Sequence, residues 1–287
     1  MKMNETEMNT NTNKVALLVH SCDRYEFLFK GFEHFFSKHW KFSIPCNYYF
    51  ATEERHVSVN GFKNVLSGKG EWTNRLALLL NENIKEEYVL YFQEDMWLKK
   101  AVNEKFFTKL FSEVQENKWQ QVKLHSSEVY KTIATRDFIE GFNIAKIDNA
   151  ASDYLMSHQV TLWNRLFLLE QLTKNEHPWR NERRGTKRLK QLDPDIFQID
   201  YFAENGKPTI NTNDSPVGRS EYQTISVNGM LNINVLPFIS ELITGNEDDR
   251  AYAAQLQHHH INNLTHDGKA QPRKEGVFKK IKNLVTK

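Results

Sequence analysis

The sequence predicts an α/β fold with a mainly parallel central sheet flanked by helices, and three observations support this class. Residues 14–20 and 88–92 are short apolar runs with little polar interruption, which is typical of strands buried on both faces of a parallel sheet. Between them, residues 24–38 and 72–84 carry apolar side chains at helical spacing. Polar residues follow each predicted strand directly. Strands that alternate with helices in this way indicate βαβ units.

Length and composition fit one large domain or a domain with a smaller appendage. The 287 residues, of which 39% are hydrophobic and 26% charged, exclude wholesale disorder. A net charge of +2 gives no reason to expect a nucleic-acid partner. Residues 1–13 are polar, lack the apolar core of a signal peptide and are expected to be disordered. Cys22 and Cys46 have no metal-ligand spacing and are expected to be small buried side chains. No run of eighteen apolar residues occurs, so we expect a cytoplasmic protein without a membrane span.

The remaining elements follow from the same patterns. Asp23 is the expected N-cap of the helix at 24–38. The other predicted elements, in chain order, are strands at 47–51 and 63–67, a helix at 103–117, a strand at 121–125, an irregular region at 126–152, a helix at 161–172 and short strands with Gly and Pro turns over 197–233. We expect a catalytic domain over 14–250 and a C-terminal helical tail over 251–287.

Glu94 and Asp95 follow the predicted strand at 88–92, at the sheet edge where open α/β sheets bind ligands. Two adjacent acids cannot both point into a core, and Phe92 and Met96 on either side keep them in apolar surroundings. Hard carboxylate oxygens in a half-buried site suit a divalent cation, Mn²⁺ or Mg²⁺, that carries phosphates. The pattern therefore predicts a site for a metal ion and a nucleotide diphosphate.

Polar side chains also follow two other predicted strands. Ser21 and Asp23 come after the first strand and Glu53 after the second, and such strand ends converge on one crevice. The next helix begins near Trp72 and Arg75, where free N–H groups and a guanidinium group suit a phosphate. Together with Arg183 and Lys187, described next, these five residues form the predicted nucleotide-binding set. The chain contains neither GxGxxG nor GxxxxGK[ST], so neither a dinucleotide-binding fold nor a P-loop is indicated.

A basic segment over 177–188 completes the candidate site. Its Pro and Gly residues are expected to interrupt a helix and favour an ordered loop that lines a site. Arg183 and Lys187 would neutralise a leaving diphosphate, and Glu182 would act as general base. Asp153 is the competing base.

The C-terminal segment carries an amphipathic pattern over 277–285, with apolar residues on one face and lysines around the other. This pattern predicts a peripheral contact of residues 273–287 with the inner face of the cell membrane. The alternative is a terminal helix that packs its apolar face on the domain.

Taken together, several segments resemble those of a protein family. The chain resembles bacterial nucleotide-sugar glycosyltransferases of the GT-A fold, of the kind encoded with capsule and lipopolysaccharide genes. The resemblance covers roughly residues 14 to 205 and rests on His20-Ser-Cys-Asp-Arg-Tyr25, Gly70-Glu-Trp-Thr-Asn-Arg-Leu76, Tyr91-Phe-Gln-Glu-Asp95, Ser157-His-Gln-Val-Thr-Leu-Trp-Asn164 and the segment from Glu176 to Arg188.

The resemblance implies a GT-A-like sheet, a nucleotide-diphosphate sugar as donor and a glycan or lipid-linked glycan as acceptor. It implies that Ser21, Asp23 and Glu53 lie near the nucleotide, and that Trp163 and Glu182 lie on the acceptor side. In such enzymes an Asp-x-Asp motif holds the cation. The first position is Gln93 here, which keeps open a non-catalytic glycan- or nucleotide-binding protein on the same scaffold.

Overall fold

The structure is a computed structural model that describes residues 13–212 and 218–270. Its residues divide into two compact units, one up to residue 224 and one from 225 onward. The domain boundary expected at 250 falls inside the helix at Glu247–Ile261, the last one among the described residues. The predicted disordered N-terminus, up to residue 12, and the predicted membrane-surface segment over 273–287 lie outside the described residues. Within those ranges, no helix combines the length and the apolar character needed to cross a bilayer.

The first unit contains thirteen strands and five helices among its described residues. In chain order they are β1 (Val15–His20), a 3-10 turn (Asp23–Leu28), α1 (Phe29–His39), β2 (Asn47–Thr52), β3 (Lys63–Leu66), α2 (Trp72–Leu78) with a π-helical turn (Leu79–Asn83), β4 (Tyr88–Phe92), β5 (Met96–Leu98), α3 (Glu104–Glu116), β6 (Gln121–His125), β7 (Thr132–Ile133), β8 (Phe138–Ile139), β9 (Phe142–Asn143), β10 (Ala145–Ile147), β11 (Thr161–Asn164), α4 (Arg165–Glu170), α5 (Pro178–Leu192), β12 (Ile196–Glu204) and β13 (Ser220–Thr224).

The second unit is smaller. Its described elements are β14 (Ser226–Val227), β15 (Met230–Leu231), a 3-10 turn (Ile233–Val235), α6 (Leu236–Ile243) and α7 (Glu247–Ile261). The two strands form an antiparallel pair. A capping box in which Asn246 and Asp249 exchange hydrogen bonds begins α7.

Eleven strands of the first unit form one central sheet in the order β3-β2-β1-β4-β11-β6-β12-β10-β7, with β13 beside β12 and β5 beside β13. Eight of these eleven strands run in one direction, and β5, β10 and β11 run against them. The predicted class, an α/β fold with a mainly parallel central sheet flanked by helices, is confirmed.

Helices cover both faces of this sheet, which explains why its strands are apolar without alternation. On one face, Phe36 of α1 packs edge-on against Phe92 of β4, and α3 contributes Phe107 to the same aromatic layer. On the other face, α2, α4 and α5 join Leu18 and Val89 of the sheet in a single core cluster. The α1 and α2 layers therefore lie on opposite sides of β1 and β4.

Three predicted features are wrong. Residues 161–164 form a strand instead of the first turn of a helix, because this β-forming run pairs with β4 and β6, and Asn164 then caps α4. Residues 178–188 of the basic segment belong to the regular helix α5, since Pro178 occupies the first turn, where a proline is tolerated. Asp23 does not cap α1, because its carboxylate accepts hydrogen bonds from a neighbouring loop instead.

Candidate functional site

The chain connections diverge between β1 and β4. After β1 the chain continues to β2 and β3 on one side, and it returns to β4 on the other side of β1. His20 lies level with Ala51, and Val19 lies level with Phe92, so the three strands end together. Open α/β sheets bind ligands in the crevice outside the strand ends at such a point.

The acidic pair lies at this crevice, in the tight turn that joins β4 to β5. The N–H of Met96 donates to the carbonyl oxygen of Gln93 at 3.2 Å and closes the turn. Glu94 is only 6% exposed, and Asp95 is partly buried. Burial and the charge of Asp95 raise the pKa of Glu94 well above its usual range, although Arg75 lowers it, and burial likewise raises the pKa of Asp95. Neither carboxylate has an ion-pair partner among the described residues. A positively charged ligand would therefore relieve an unfavourable concentration of negative charge.

Arg75 is buried at the strand ends and is 6% exposed. Its Nε donates to Ser67 Oγ at 3.0 Å, its Nη2 donates to the carbonyl oxygen of Ser21, and its Nη1 lies 3.4 Å from Glu53 Oε1. Three of its donor groups thus join the ends of β1, β2 and β3. The guanidinium group is close enough to Glu94 to lower the pKa of that carboxyl group. The predicted residues Ser21, Glu53 and Arg75 do meet.

Asp23 and Glu53 form a reciprocal pair between two loops at the strand ends. The Asp23 carboxylate accepts the backbone N–H groups of Glu53, Glu54 and Arg55 at 2.9 to 3.2 Å. The N–H of Asp23 donates to Glu53 Oε2 at 3.0 Å. Ser21 Oγ donates to the carbonyl oxygen of Ala51 at 2.8 Å. These polar groups hold the loops around the crevice together.

A cluster of aromatic rings surrounds Trp72, the first residue of α2. The half-buried indole of Trp72 lies 4.1 Å from the His158 ring and 5.4 Å from the His20 ring, measured between centroids. Burial lowers the pKa of His158 to about 3, so its imidazole is neutral at physiological pH. The predicted donor residue Trp72 therefore packs on neutral rings, which leaves an aromatic wall that can contact a base or a sugar.

Glu182 faces the sheet from α5. Its Oε1 accepts the backbone N–H of His158 at 3.1 Å, and the described residues give the carboxylate no other hydrogen bond. Burial raises the pKa of Glu182, whereas the hydrogen bond from the His158 N–H and the positive charge of Lys123 lower it. Lys123 is fully buried, its Nζ lies 4.8 Å from the centre of the Tyr130 ring, and burial lowers its pKa to about 7.

The polar row that accompanies Glu182 was not among the predicted site residues. Register aligns Tyr91 of β4, Thr161 of β11 and Lys123 of β6 on one face of the sheet, and His125 lies two residues further along that face. His125 contacts the Tyr130 hydroxyl through Nε2 at 2.9 Å. A signal did exist in the sequence, because residues 121–125 alternate polar and apolar side chains while belonging to a buried strand.

Asp153 lies elsewhere, in a basic groove on the outer side of α5. The groove has a volume of about 800 Å³, and Asp153 shares its lining with Arg183 and Lys187. Glu182 and these two cations project from different faces of the same helix, because residues at adjacent positions are 100° apart. The structure thus brings Asp153 together with Arg183 and Lys187, and Glu182 together with Lys123 and His158.

Two further expectations concern single side chains. Trp163 is 1% exposed and packs against Phe167 in the core, so its ring is not available to an acceptor, contrary to expectation. Cys46 is buried and Cys22 half-buried, and both are free thiols.

A divalent cation fits only part of this arrangement. The described residues contain no group of three or more His, Cys, Asp or Glu side chains placed to hold a metal ion. Glu94 and Asp95 offer two carboxylates without a counter-ion, and Mg²⁺ and Mn²⁺ sites commonly complete their coordination with substrate phosphates and water. The pair therefore fits a cation that arrives with a diphosphate.

No protein-family model and no curated protein matches the chain. Among solved structures, it is similar to the crystal structure of S. aureus TarS 1-349, with a TM-score of 0.45, 10% identity and coverage of 87% of this chain and 71% of that chain. The complex of TarS 1-349 with UDP has a TM-score of 0.45 and 10% identity, and the match covers 94% of this chain and 78% of that chain. The complex with UDP-GlcNAc has a TM-score of 0.44 and 10% identity, and the match covers 87% of this chain and 72% of that chain. Because these TM-scores are below 0.5, the functional proposal rests on the residues of this chain.

Proposed function

We propose that this protein is a glycosyltransferase that takes a sugar from a nucleotide-diphosphate sugar. The observation that carries the proposal is the acidic pair at the β1/β4 crevice, in which Glu94 is buried and Asp95 partly buried, without a counter-ion among the described residues. Such an acid pair at a ligand-binding sheet edge suits a cation and the diphosphate that accompanies it.

On the donor side, the reaction needs neutralisation of the diphosphate that leaves the anomeric carbon. Glu94 and Asp95 would hold a Mn²⁺ or Mg²⁺ ion, which would supply positive charge at the leaving group. Arg75 would act on the same charge, and Trp72 would form an aromatic wall for the base or the sugar. Ser21, Asp23 and Glu53 would fix the loops that surround the nucleotide.

On the acceptor side, the reaction needs a group that takes the proton of the attacking hydroxyl if the enzyme inverts the anomeric centre. Glu182 suits this role because burial raises its pKa and one of its oxygens forms no hydrogen bond among the described residues. Asp153 is the alternative base. From the resemblance of its sequence segments, we propose a surface glycan of the capsule or lipopolysaccharide type as acceptor.

A non-catalytic nucleotide- or glycan-binding protein is the second candidate. Two observations favour it: Gln93 replaces the first acid of the expected motif, and Arg75 already uses three of its donor groups within the protein. Such a protein would bind the nucleotide sugar without breaking the bond between the anomeric carbon and the diphosphate.

The test is a turnover assay with a panel of nucleotide sugars, with and without Mn²⁺, read by chromatography of the released nucleotide. UDP-GlcNAc, the ligand of one TarS complex, is a natural first member of the panel. A glycosyltransferase would release nucleotide above the rate of a heat-inactivated control. Binding of the same compounds without any release would instead support the binding protein.

A further inference from the structure

The outer face of α5 and the loop before β11 enclose a second site. The groove between them, called the α5 groove below, has a volume of about 800 Å³. The residues that line it are Asp153, Tyr154, Arg180, Arg183, Arg184, Thr186, Lys187 and Lys190. Five of these eight side chains are cationic and one is anionic, which gives the groove a strongly positive potential.

Most of this charge is not neutralised within the protein. Arg184 lies 3.4 Å from Glu176 Oε1, and Lys190 donates to the carbonyl oxygen of Ala150 at 3.0 Å. The side chains of Arg180, Arg183 and Lys187 form no ion pair or hydrogen bond with any residue in the described part of the chain, and all three are exposed. These cations are available to a ligand.

The groove is preformed, because the loop is tied to α5 at several points. The N–H of Met156 donates to Thr186 Oγ1 at 3.2 Å, and Lys190 binds Ala150 at the other end. Gly185 allows the close approach, since a Cβ atom there would lie 2.7 Å from Met156 Cγ. Fixed walls lower the entropic cost of ordering a binding site.

Tyr154 adds an aromatic surface to the cations. Its side chain is 49% exposed although the residue is aromatic, and its backbone adopts a left-handed conformation with φ of 55°. A residue without glycine's freedom rarely adopts this conformation, and such strain is concentrated at functional positions. An exposed aromatic ring beside cations suits a saccharide that carries negative charges.

We propose that the α5 groove binds an anionic glycan chain, meaning a saccharide polymer with phosphodiester or carboxylate groups along its length. The cations from Arg180 to Lys190 extend over about 15 Å of helix, longer than one phosphate group, which favours a chain with repeated charges. The concave shape favours a single chain over the flat surface of a membrane. Resting on the proposed function, this inference makes the bound chain the acceptor.

The test is calorimetric titration of the full-length protein with three probes of similar length: a hyaluronan oligosaccharide, an oligo(glycerol phosphate) and a neutral dextran oligosaccharide. We expect the two anionic probes to bind, with affinity that falls as salt increases, and the dextran not to bind. The two anionic arms distinguish a carboxylate from a phosphodiester ligand.

The decisive variant is R183E/K187E, and its matched control is K41E/K105E, which changes the net charge equally at exposed lysines on other elements. We expect R183E/K187E to weaken binding of the preferred probe at least tenfold and the control to bind within about twofold of the wild type. The neutral variant R183Q/K187Q gives a second reading if charge reversal impairs folding, and a smaller loss is expected from it.

Equal losses in both double variants, equal binding of the dextran, or binding to anionic lipid vesicles without binding to the soluble probes would each overturn the proposal. The titration contains no nucleotide sugar. A protein that binds the glycan but turns over no donor would therefore contradict the proposed function alone, and a protein that turns over a donor but binds no anionic probe would contradict this inference alone.

Discussion

Lys123 has a fully buried ammonium group, and the described residues give it no hydrogen-bond acceptor. Burial lowers its pKa to about 7, with Glu182 acting in the opposite direction. In an unfolded chain the pKa of lysine is about 10.4. Between these two values the unfolded protein binds more protons than the folded protein, so the contribution of this residue to stability rises with pH from about 7 to about 10 and is constant below 7.

Substitution K123M should remove this pH dependence. The wild type should gain about 2 kcal/mol of unfolding free energy relative to K123M between pH 7.5 and pH 9.5, since one proton contributes about 1.4 kcal/mol per pH unit. Urea unfolding at both pH values measures the difference. The exposed-site variant K105M serves as control and should track the wild type. A constant difference between K123M and the wild type would show that Lys123 is charged in the folded state.

Glu182 and Asp153 are competing candidates for the acceptor base, and they lie on different sides of α5. We expect E182Q to lower the rate of sugar transfer by about 10²- to 10⁴-fold with little change in donor affinity, because a general base acts in the transition state. Burial raises the pKa of Glu182. As the pH is lowered, activity should therefore be lost at a higher pH than it would be with an exposed glutamate as the base. Steady-state kinetics of E182Q and D153N measure both effects. Full activity in E182Q with loss in D153N would transfer the role to Asp153.

At the scale of elements, α5 connects the two sites. Its inner residues Gly185 and Leu189 are buried, Glu182 faces the sheet, and Arg183 and Lys187 line the groove on its outer side. One helix therefore carries the candidate base and the cations without bringing them into contact. Its position depends on Gly185, which lets the helix approach Met156 closely.

Substitution G185A tests this close contact. An alanine is about 1 kcal/mol more favourable than glycine in a helix, but the added Cβ would lie 2.7 Å and 2.9 Å from Met156 Cγ and Cβ. Overpacking should dominate, and we expect a net loss of about 1 to 3 kcal/mol in unfolding free energy. Thermal or urea unfolding measures it, with K187A on the exposed face as control, expected within about 0.5 kcal/mol of the wild type. A stabilised G185A would mean that Met156 moves aside at no cost.

The sequence predicted the elements whose own residues carry a recognisable pattern. It missed those whose structure depends on contacts with residues far away in the sequence. Apolar runs located β1, β2 and β4 to within a residue or two, because buried strands carry their own pattern. The strand at 161–164 was predicted as helix, since only its pairing with β4 and β6 makes it a strand. A proline and a glycine suggested a loop at 177–188, yet one occupies the first turn and the other packs closely on a neighbour.

The residues of the candidate site likewise fall into those that the sequence could predict and those that it could not. Ser21, Glu53, Arg75 and the acids after β4 could be placed at one edge from the sequence, because the carboxyl ends of parallel strands meet. The association of Glu182 with Lys123 and His158 could not be predicted, since it joins α5, β6 and the loop before β11 across more than twenty residues of sequence. Glu182 and Arg183 lie on different faces of α5. The sequence of the basic segment does not by itself show that these two side chains point in different directions.

At the scale of the whole molecule, the sequence adds one feature outside the described residues. Residues 273–287 contain Arg273, Lys274, Lys279, Lys280 and Lys282 beside an apolar stripe, a pattern that predicts binding to an anionic membrane surface. Each basic residue near such a surface contributes about 1 kcal/mol. In vesicle co-sedimentation, the full-length protein should bind anionic vesicles and a form that ends at residue 272 should not. Equal binding by both forms would contradict this prediction.

The central claim is that the acids at the β1/β4 crevice hold the donor diphosphate and its cation. The most direct test compares D95N with D137N, an exposed carboxyl-to-amide change elsewhere in the same unit, by nucleotide-sugar turnover and by titration with the nucleoside diphosphate in the presence of Mn²⁺. We expect D95N to lose most turnover and metal-dependent binding while its unfolding temperature stays equal or rises, because burial disfavours the charge at Asp95. We expect D137N to behave as the wild type. Wild-type turnover and metal-dependent nucleotide binding in D95N would contradict the claim and place the donor elsewhere.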